Sequence, residues 1–201
     1  MYFEYRKELL PTLARTSPVL LPIILLTNCI LSPSFESFYI FIMYFVVMLM
    51  NFFAKLLVFK PIYKLFGKPK LPFLGLGGRP NGAKSCKFTL DDKIALSFGM
   101  PSGHSQLAWT VSIYFLFKII YKFKNDKDKD KNDKTTNIMK YIWLCLSCII
   151  LIGTASYISY SRVYIEGCHT IQQVIVGGIL GFVGGFLLYY FEDDVKNLLK
   201  L

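Results

Sequence analysis

Apolar residues gather in five runs along the chain, and each run is long enough or apolar enough to cross a lipid bilayer. A membrane-spanning helix needs about 20 mainly apolar residues. The runs are Ser17–Leu31, Ser37–Phe59, Ser105–Tyr121, Tyr141–Tyr160 and Ile171–Phe191. Prolines inside the first run predict a tilted, kinked or partly interfacial helix there. The pattern as a whole predicts an all-α protein: a polytopic membrane bundle of about five transmembrane helices that forms one domain over residues 1–201.

Two of the segments between these runs stand out, and their compositions differ. Lys60–Met100 is long and rich in Gly, Pro, Lys and Arg, so we expect a loop insertion there. Residues 122–140 alternate Lys and Asp and are nearly free of apolar residues, which predicts a flexible charged connector. With five spans, the loops before the third and the fifth span lie on the same face of the membrane, whichever way the chain is oriented.

Composition narrows the class of protein further. Hydrophobic residues make up 54% of the chain, which is more than an ordinary soluble domain carries, and the formal net charge is +10. Basic residues concentrate in the loops, where they would meet anionic lipid headgroups. Because the five spans leave no separate basic domain, nucleic acid is not an expected partner. We expect a multi-pass integral membrane protein, with the endoplasmic reticulum or another internal membrane as a candidate location.

Both histidines of the chain fall on the face that the loops before the third and fifth spans share. His104 ends the stretch "PSGH" at the start of the third run, and His169 precedes the fifth. Arg79 in "GGRP" and Arg162 in "YSRVY" join them. A guanidinium matches phosphate oxygens bidentately, and a helix N-terminus offers free N–H groups to an anion. The sequence therefore predicts a phosphate pocket with two imidazoles, and no carboxylate cluster there suggests a metal or another cofactor.

Three motifs carry a family resemblance. Arg79-Pro80, then "PSGH", then Ser161-Arg162 with His169 resemble the signatures K-x6-R-P, P-S-G-H and S-R-x5-H-x3-D of the type 2 phosphatidic acid phosphatase superfamily. Its members are membrane lipid phosphatases related to haloperoxidases. The stretches "GMPSGHSQ" and "HTIQQV" are most similar to the dolichyldiphosphatase branch. The resemblance implies an integral membrane phosphatase that hydrolyses a lipid phosphate or diphosphate, with polyprenyl or dolichyl diphosphate favoured.

The resemblance also assigns roles to individual residues. It implies that His169 attacks phosphorus and carries a phosphohistidine intermediate, without a metal, while His104 protonates the leaving group. The phosphate oxygens would be held by Arg79, Arg162, Ser102 and Gly103.

The chain departs from the family pattern at three places. Pro72 occupies the position of the signature lysine, and Lys55 is the preferred replacement, with Lys70 as the alternative. Six residues rather than five separate Arg162 from His169, and Gly167 is expected to absorb the extra one in a turn or bulge. Gln173 replaces the signature aspartate and would orient His169 through its amide oxygen.

Other functions stay open beside the favoured one. Phosphatidic acid or another glycerolipid monophosphate is the alternative substrate. The departures from the signatures also suit a catalytically degenerate membrane protein that binds a lipid phosphate without hydrolysing it.

Overall fold

The computed structural model describes residues 2–66, 78–80, 82, 83, 98–129 and 134–200, and all regular structure in these residues is helical. Six α-helices follow in order: α1 (Tyr2–Leu31), α2 (Phe35–Phe53), α3 (Lys60–Leu65), α4 (Gly103–Lys129), α5 (Lys134–Tyr160) and α6 (Ile171–Leu198). A π-helical segment, Ala54–Phe59, joins α2 to α3, and a second one, Ser161–Ile165, extends α5. The predicted all-α bundle is confirmed.

Each of the five apolar runs forms a helix, but the five helices are not equally apolar. Among the residues that the structure describes, four helical segments are long and apolar enough to cross a membrane: Leu9–Leu31, Phe35–Leu65, Ile138–Ile165 and Ile171–Leu198. The helix α4 is not among them, because it places polar side chains such as Ser105, Gln106 and Thr110 in the interior of the bundle. It packs against α1, α2, α5 and α6, so its polar residues face protein rather than lipid.

The closest helix pair in the bundle is α4 with α6, and glycines make that closeness feasible. A β-carbon added to Gly181 would lie 2.3 Å from the carbonyl oxygen of Gln106. One added to Gly185 would lie 2.5 Å from the carbonyl oxygen of Thr110. Small residues four apart let helix backbones approach in this way. The run "GGILGFVGG" thus fixes α6 against α4, and each of these two helices begins beside a histidine.

Buried polar contacts fasten the opposite end of the same helix pair. Glu192 on α6 accepts a hydrogen bond from the Tyr114 hydroxyl at 3.0 Å and pairs with Lys118 at 2.8 Å, both on α4. The Tyr39 hydroxyl of α2 donates to the carbonyl oxygen of Leu188 at 2.8 Å. A charge inside a bundle needs such a partner. These contacts set the register of α2, α4 and α6 far from the histidines.

Helical backbone extends into the segment predicted as a connector. The helix α4 continues to Lys129 and α5 begins at Lys134, so most of residues 122–140 is helical where a flexible chain was expected. Opposite charges three positions apart favour helix, and an alternation of Lys and Asp supplies that spacing. Residues 130–133 lie outside the described residues, and the flexibility of the connector stays a prediction.

The glycine packing predicts opposite outcomes for two alanine substitutions. Gly181→Ala should lower the thermal unfolding temperature of the detergent-solubilised protein, because overpacking a tight interface costs about 1–3 kcal/mol. Gly153→Ala on α5 is the control, since a β-carbon there meets nothing within 4 Å. Alanine also forms helix better than glycine by up to about 1 kcal/mol, so this variant should be at least as stable as wild type. Equal unfolding temperatures for the two variants would contradict the packing described.

Candidate functional site

The residues Arg162 and His169 lie on the short connection between α5 and α6. The π-helical segment Ser161–Ile165 widens the end of α5, and the Glu166 N–H donates to the Ser161 carbonyl at 2.8 Å. Gly167 then adopts a φ of +60°, a conformation that side chains disfavour. The chain turns back so that the His169 N–H donates to the Arg162 carbonyl at 3.2 Å. The extra residue between arginine and histidine is therefore absorbed by a π-helical segment and a left-handed glycine together.

His169 is buried and is held by the amide of Gln173. Its Nδ1 lies 2.9 Å from Gln173 Oε1, which also accepts the Thr170 N–H at 3.3 Å. The Gln173 Nε2 group donates to the Gly78 carbonyl at 2.6 Å. His169 Nδ1 and the Thr170 N–H both lie against Oε1, and the Gly78 carbonyl accepts from Nε2, so these three contacts fix the orientation of the Gln173 amide. Because Gln173 Oε1 accepts, Nδ1 of His169 carries the hydrogen, and Nε2 of the neutral ring keeps a lone pair.

His104 lies in the first turn of α4 and contacts the backbone of α1. Its Nε2 lies 3.1 Å from the carbonyl oxygen of Arg15. A carbonyl only accepts, so Nε2 carries the hydrogen, and Nδ1 is the nitrogen that remains to take up a further proton. The start of α4 is fixed against α6 in turn, because the Ser102 N–H donates to the Gln173 carbonyl at 3.0 Å. The turns that carry the two histidines are thus hydrogen-bonded to each other.

The side chain of Arg162 is completely buried, and its hydrogen-bonding capacity is unused. Its Nε, Nη1 and Nη2 atoms have no hydrogen-bond partner among the described residues. The Oγ atom of Ser102 is likewise buried and without a partner in the described part of the chain. Buried polar groups in native proteins nearly always have partners, so such a cluster marks a place for a polar ligand. A guanidinium with free donors suits a multivalent oxyanion such as phosphate.

Arg79 and Lys55 bring further positive charge to this cluster. Arg79 donates through Nη1 to the Cys168 carbonyl at 2.9 Å, which places it beside His169. Lys55 lies in the π-helical segment after α2, one turn beyond Asn51. The amide of Asn51 donates to Gln106 Oε1 at 2.6 Å, which brings the end of α2 to the start of α4. The charge of Lys55 acts on both histidines, whereas Lys70 lies outside the described residues.

Sequence reasoning missed Arg15, which closes the cluster from α1. Its guanidinium contacts Glu166 bidentately, with Nε at 2.9 Å and Nη2 at 2.7 Å from Oε2. The other oxygen of Glu166 lies 3.7 Å from Arg162 Nη2. One carboxylate therefore faces two arginines, and the cluster keeps an excess of positive charge. No motif contains Arg15, and its distance of 151 positions from Glu166 left no local signal.

This positive charge and the burial of the site act on the histidines in the same direction. Burial, then the charge of Arg79, lowers the pKa of His169 to about 3. Burial, then the charge of Arg162, lowers the pKa of His104 well below its usual range. Burial also lowers the pKa of Arg79. Both imidazoles are therefore neutral near pH 7 while no anion is bound. A neutral His169 is the form with a nucleophilic lone pair.

The site residues named from the sequence lie close together wherever the structure describes them. The starts of α4 and α6, the end of α5 and the π-helical segment after α2 meet at one end of the bundle, and Arg79 reaches the same place from its loop. Within the described residues, no group of three His, Cys, Asp or Glu side chains is placed to hold a metal ion. The absence of a metal requirement stays a prediction.

The depressed histidine pKa values predict an unusual titration. In protein labelled with ¹⁵N-histidine and purified without a histidine tag, neither imidazole should titrate between pH 5 and pH 8. Orthovanadate should raise at least one pKa into this window, because a bound anion favours the imidazolium form. The chain has two histidines, so a His104→Gln variant assigns both signals. An anion-free histidine that titrates near its ordinary pKa of about 6.5 would contradict the electrostatics of the site.

Comparisons with known proteins agree with the geometry. The family model of the PAP2 superfamily matches residues 36–196. Dolichyldiphosphatase 1 of Homo sapiens is 31% identical over 103 residues, which are 51% of this chain and 40% of that protein. Dolichyldiphosphatase 1 of Mus musculus is 33% identical over 89 residues, or 44% of this chain and 34% of that protein. The dolichyldiphosphatase of Saccharomyces cerevisiae is 28% identical over 108 residues, or 54% of this chain and 39% of that protein.

The chain thus matches about two fifths of the length of these curated relatives. No solved structure matches it significantly. The family model covers well over half of the chain, and the three motifs, both histidines and the buried Arg162 lie inside the matched region. The protein belongs to the PAP2 superfamily.

Proposed function

We propose that this protein is a membrane phosphatase that hydrolyses a lipid diphosphate or phosphate, with a polyprenyl diphosphate as the favoured substrate. One observation carries the proposal: Arg162 is fully buried, and its three guanidinium nitrogens have no hydrogen-bond partner among the described residues, next to a histidine oriented as a nucleophile. The preference for dolichyl diphosphate rests on the relatives, which are named dolichyldiphosphatases.

The proposed reaction begins at Nε2 of His169. The lone pair of Nε2 attacks the terminal phosphorus while the bond from phosphorus to the bridging oxygen breaks. Arg162, Arg79 and Lys55 stabilise the charge that spreads over the phosphoryl oxygens, and Ser102 Oγ and the N–H of Gly103 donate to the same group. A lipid monophosphate leaves, and the phosphoryl group stays on His169.

His104 moves the protons of both steps. A bound phosphate brings negative charge against it and raises its pKa, so Nδ1 takes up a proton when substrate binds. That proton passes to the leaving oxygen. In the second step His104 accepts a proton from water, the water oxygen attacks phosphorus, and the bond to His169 breaks. When inorganic phosphate leaves, the pKa of His104 falls again and its proton passes to solvent. Both histidines are then neutral, as before the reaction.

Gln173 occupies the position at which the family signature has an aspartate. Its contacts allow it to orient His169 but not to stabilise a positive charge. It fixes the ring of His169 and its tautomer through the bond between Nδ1 and Oε1. It carries no charge, so it does not stabilise an imidazolium as an aspartate would. Attack by Nε2 leaves the ring cationic, and the neighbouring phosphoryl oxygens provide the opposing charge.

Phosphate release from lipids tests this proposal. Purified protein in detergent with EDTA should release inorganic phosphate from a polyprenyl diphosphate, and orthovanadate should inhibit it. His169→Ala should lower kcat by about 10³-fold or more, since a covalent route is lost. Protein quenched at alkaline pH during turnover of a ³²P-labelled substrate should carry an acid-labile label.

A pair of glutamine variants provides the matched control. Gln173→Ala should lower kcat by about tenfold or more, because His169 loses the hydrogen bond that orients it. Losses of this size are typical when a residue that orients an active-site histidine is removed. Gln172→Ala, at the neighbouring position and without a hydrogen bond to either histidine, should leave kcat unchanged.

Full activity of His169→Ala would refute the covalent mechanism.

Two further results would redirect the proposal. Hydrolysis of phosphatidic acid, with none of the diphosphate, would replace the favoured substrate by a glycerolipid monophosphate. Vanadate or lipid phosphate binding without turnover would identify a degenerate binding protein.

A further inference from the structure

A cavity of about 510 Å³ lies between α1, α4 and α5, within the range of 300–1,000 Å³ typical of ligand pockets. Its walls are almost entirely apolar side chains. On α1 the wall lies on both sides of Arg15, with Leu10, Leu13 and Ala14 before it and Ser17 after it, and on α4 and α5 the lining residues nearest the phosphate site are Ala108 and Ile158.

Each helix around this cavity also carries a residue of the phosphate site, close to the point where the cavity begins. Ala14 precedes Arg15 on α1, Ala108 follows His104 by four positions on α4, and Ile158 precedes Arg162 by four positions at the end of α5. Four helical residues span about 6 Å, so on α4 and α5 the cavity begins about one turn from the phosphate site, while on α1 it lies alongside Arg15. The hydrogen bond from His104 to the Arg15 carbonyl joins two of these helices at that level.

The cavity continues from there toward the middle of the bundle. On α5 its wall extends from Ile158 to Leu151, eleven positions before Arg162, and on α1 it reaches Ile24, nine positions after Arg15. At 1.5 Å per residue these are about 16 Å and 14 Å along the helix axes. Half the hydrocarbon thickness of a bilayer is about 15 Å. The cavity therefore has the depth that a hydrocarbon chain attached to a headgroup at the phosphate site would occupy.

We propose that this cavity, the α1–α4–α5 cavity, holds the hydrocarbon tail of the lipid whose phosphate binds at Arg162. The inference rests on the proposed function, since it names the tail site of the same substrate. The helix α1 meets α4 and α5 at few places, in contrast to the glycine-packed pair of α4 and α6. A tail between α1 and its neighbours thus fills space that protein side chains leave open.

A second groove, between α4, α5 and α6, is the competing location. It measures about 470 Å³, and Trp109, Ser159 and Ile179 are among its lining residues. Polar contacts cross its wall: the Trp109 indole donates to Ser159 Oγ at 3.2 Å, and Ser159 Oγ lies 2.9 Å from Ser105 Oγ. These hydrogen bonds tie α4 to α5 beside the histidines, where a tail would have to leave the phosphate site. The α1–α4–α5 cavity is also crossed by a hydrogen bond, from Ser112 Oγ to the Leu151 carbonyl at 3.0 Å, but that bond lies at its deep end. We therefore assign the tail to the α1–α4–α5 cavity.

Tail-length dependence of hydrolysis tests the assignment. Gly153 lines the cavity nine positions before Arg162, and a β-carbon there meets nothing within 4 Å, so the side chain of a Gly153→Leu variant would start in open space at the cavity wall. We expect kcat/KM for a long polyprenyl diphosphate to fall about tenfold, the scale of discrimination in hydrophobic pockets. Hydrolysis of a diphosphate with one isoprene unit should change less than twofold, because so short a tail ends above Gly153. Ile179→Trp in the second groove is the matched control and should change neither.

Cross-linking tests the tail site without relying on turnover. A polyprenyl diphosphate with a diazirine in its tail, bound to the His169→Ala variant so that it is not hydrolysed, should label peptides of α1 and the lining positions of α4 and α5. Cross-links in the cavity without phosphate release from any substrate would refute the proposed function and still support the tail site. Cross-links at Ile179 and Phe182, or a Gly153→Leu variant as active as wild type on the long tail, would overturn the tail site.

Discussion

Arg162 carries a positive charge to a position that solvent does not reach, and a buried charge without compensation is among the costliest features a protein can contain. Glu166 compensates in part at 3.7 Å, but that carboxylate is engaged more closely by Arg15. The three nitrogens of Arg162 have no hydrogen-bond partner in the described part of the chain. The fold therefore keeps a buried positive charge that a bound phosphate would neutralise. The helix bundle around Arg162 provides the rigidity needed to hold this charge in position.

That rigidity comes from both ends of the α4–α6 pair. Glycines of α6 bring the two backbones into contact, and the buried carboxylate of Glu192 fixes their far end. The hydrogen bond from the Ser102 N–H to the Gln173 carbonyl then joins the first turns of the two helices beside the histidines. Because the helix pair fixes both turns, His104 and His169 hold their relative positions without a ligand between them. A site of this kind is preorganised, and preorganised donors are the most effective in stabilising a charged transition state.

The sequence predicted the helical bundle, and it singled out residues that the fold brings together, for physical reasons that are local. Their roles stay a prediction. Long apolar runs identify membrane helices because every backbone group must be satisfied within its own segment in lipid. The histidines stood out because the chain has two of them, and Arg79 and Arg162 because they belong to motifs on the same membrane face as the histidines. Nothing local could predict the contact between Arg15 and Glu166, which are 151 positions apart. The connector was predicted to be flexible from its composition, which carries no signal for where α4 ends and α5 begins.

The contact between His104 and α1 is made with a backbone carbonyl, and this has a consequence for how the site tolerates change. Every amino acid at position 15 supplies the same carbonyl, so exchanging that side chain removes the ion pair to Glu166 but leaves this hydrogen bond available. The bond depends instead on the rotation of α1 about its axis. Inserting or deleting one residue between Arg15 and the later part of α1 that packs on α2 would turn Arg15 by about 100° about the helix axis and shift it by about 1.5 Å relative to that part. Such a change would move the Arg15 carbonyl away from His104, although no substitution of Arg15 would do so directly.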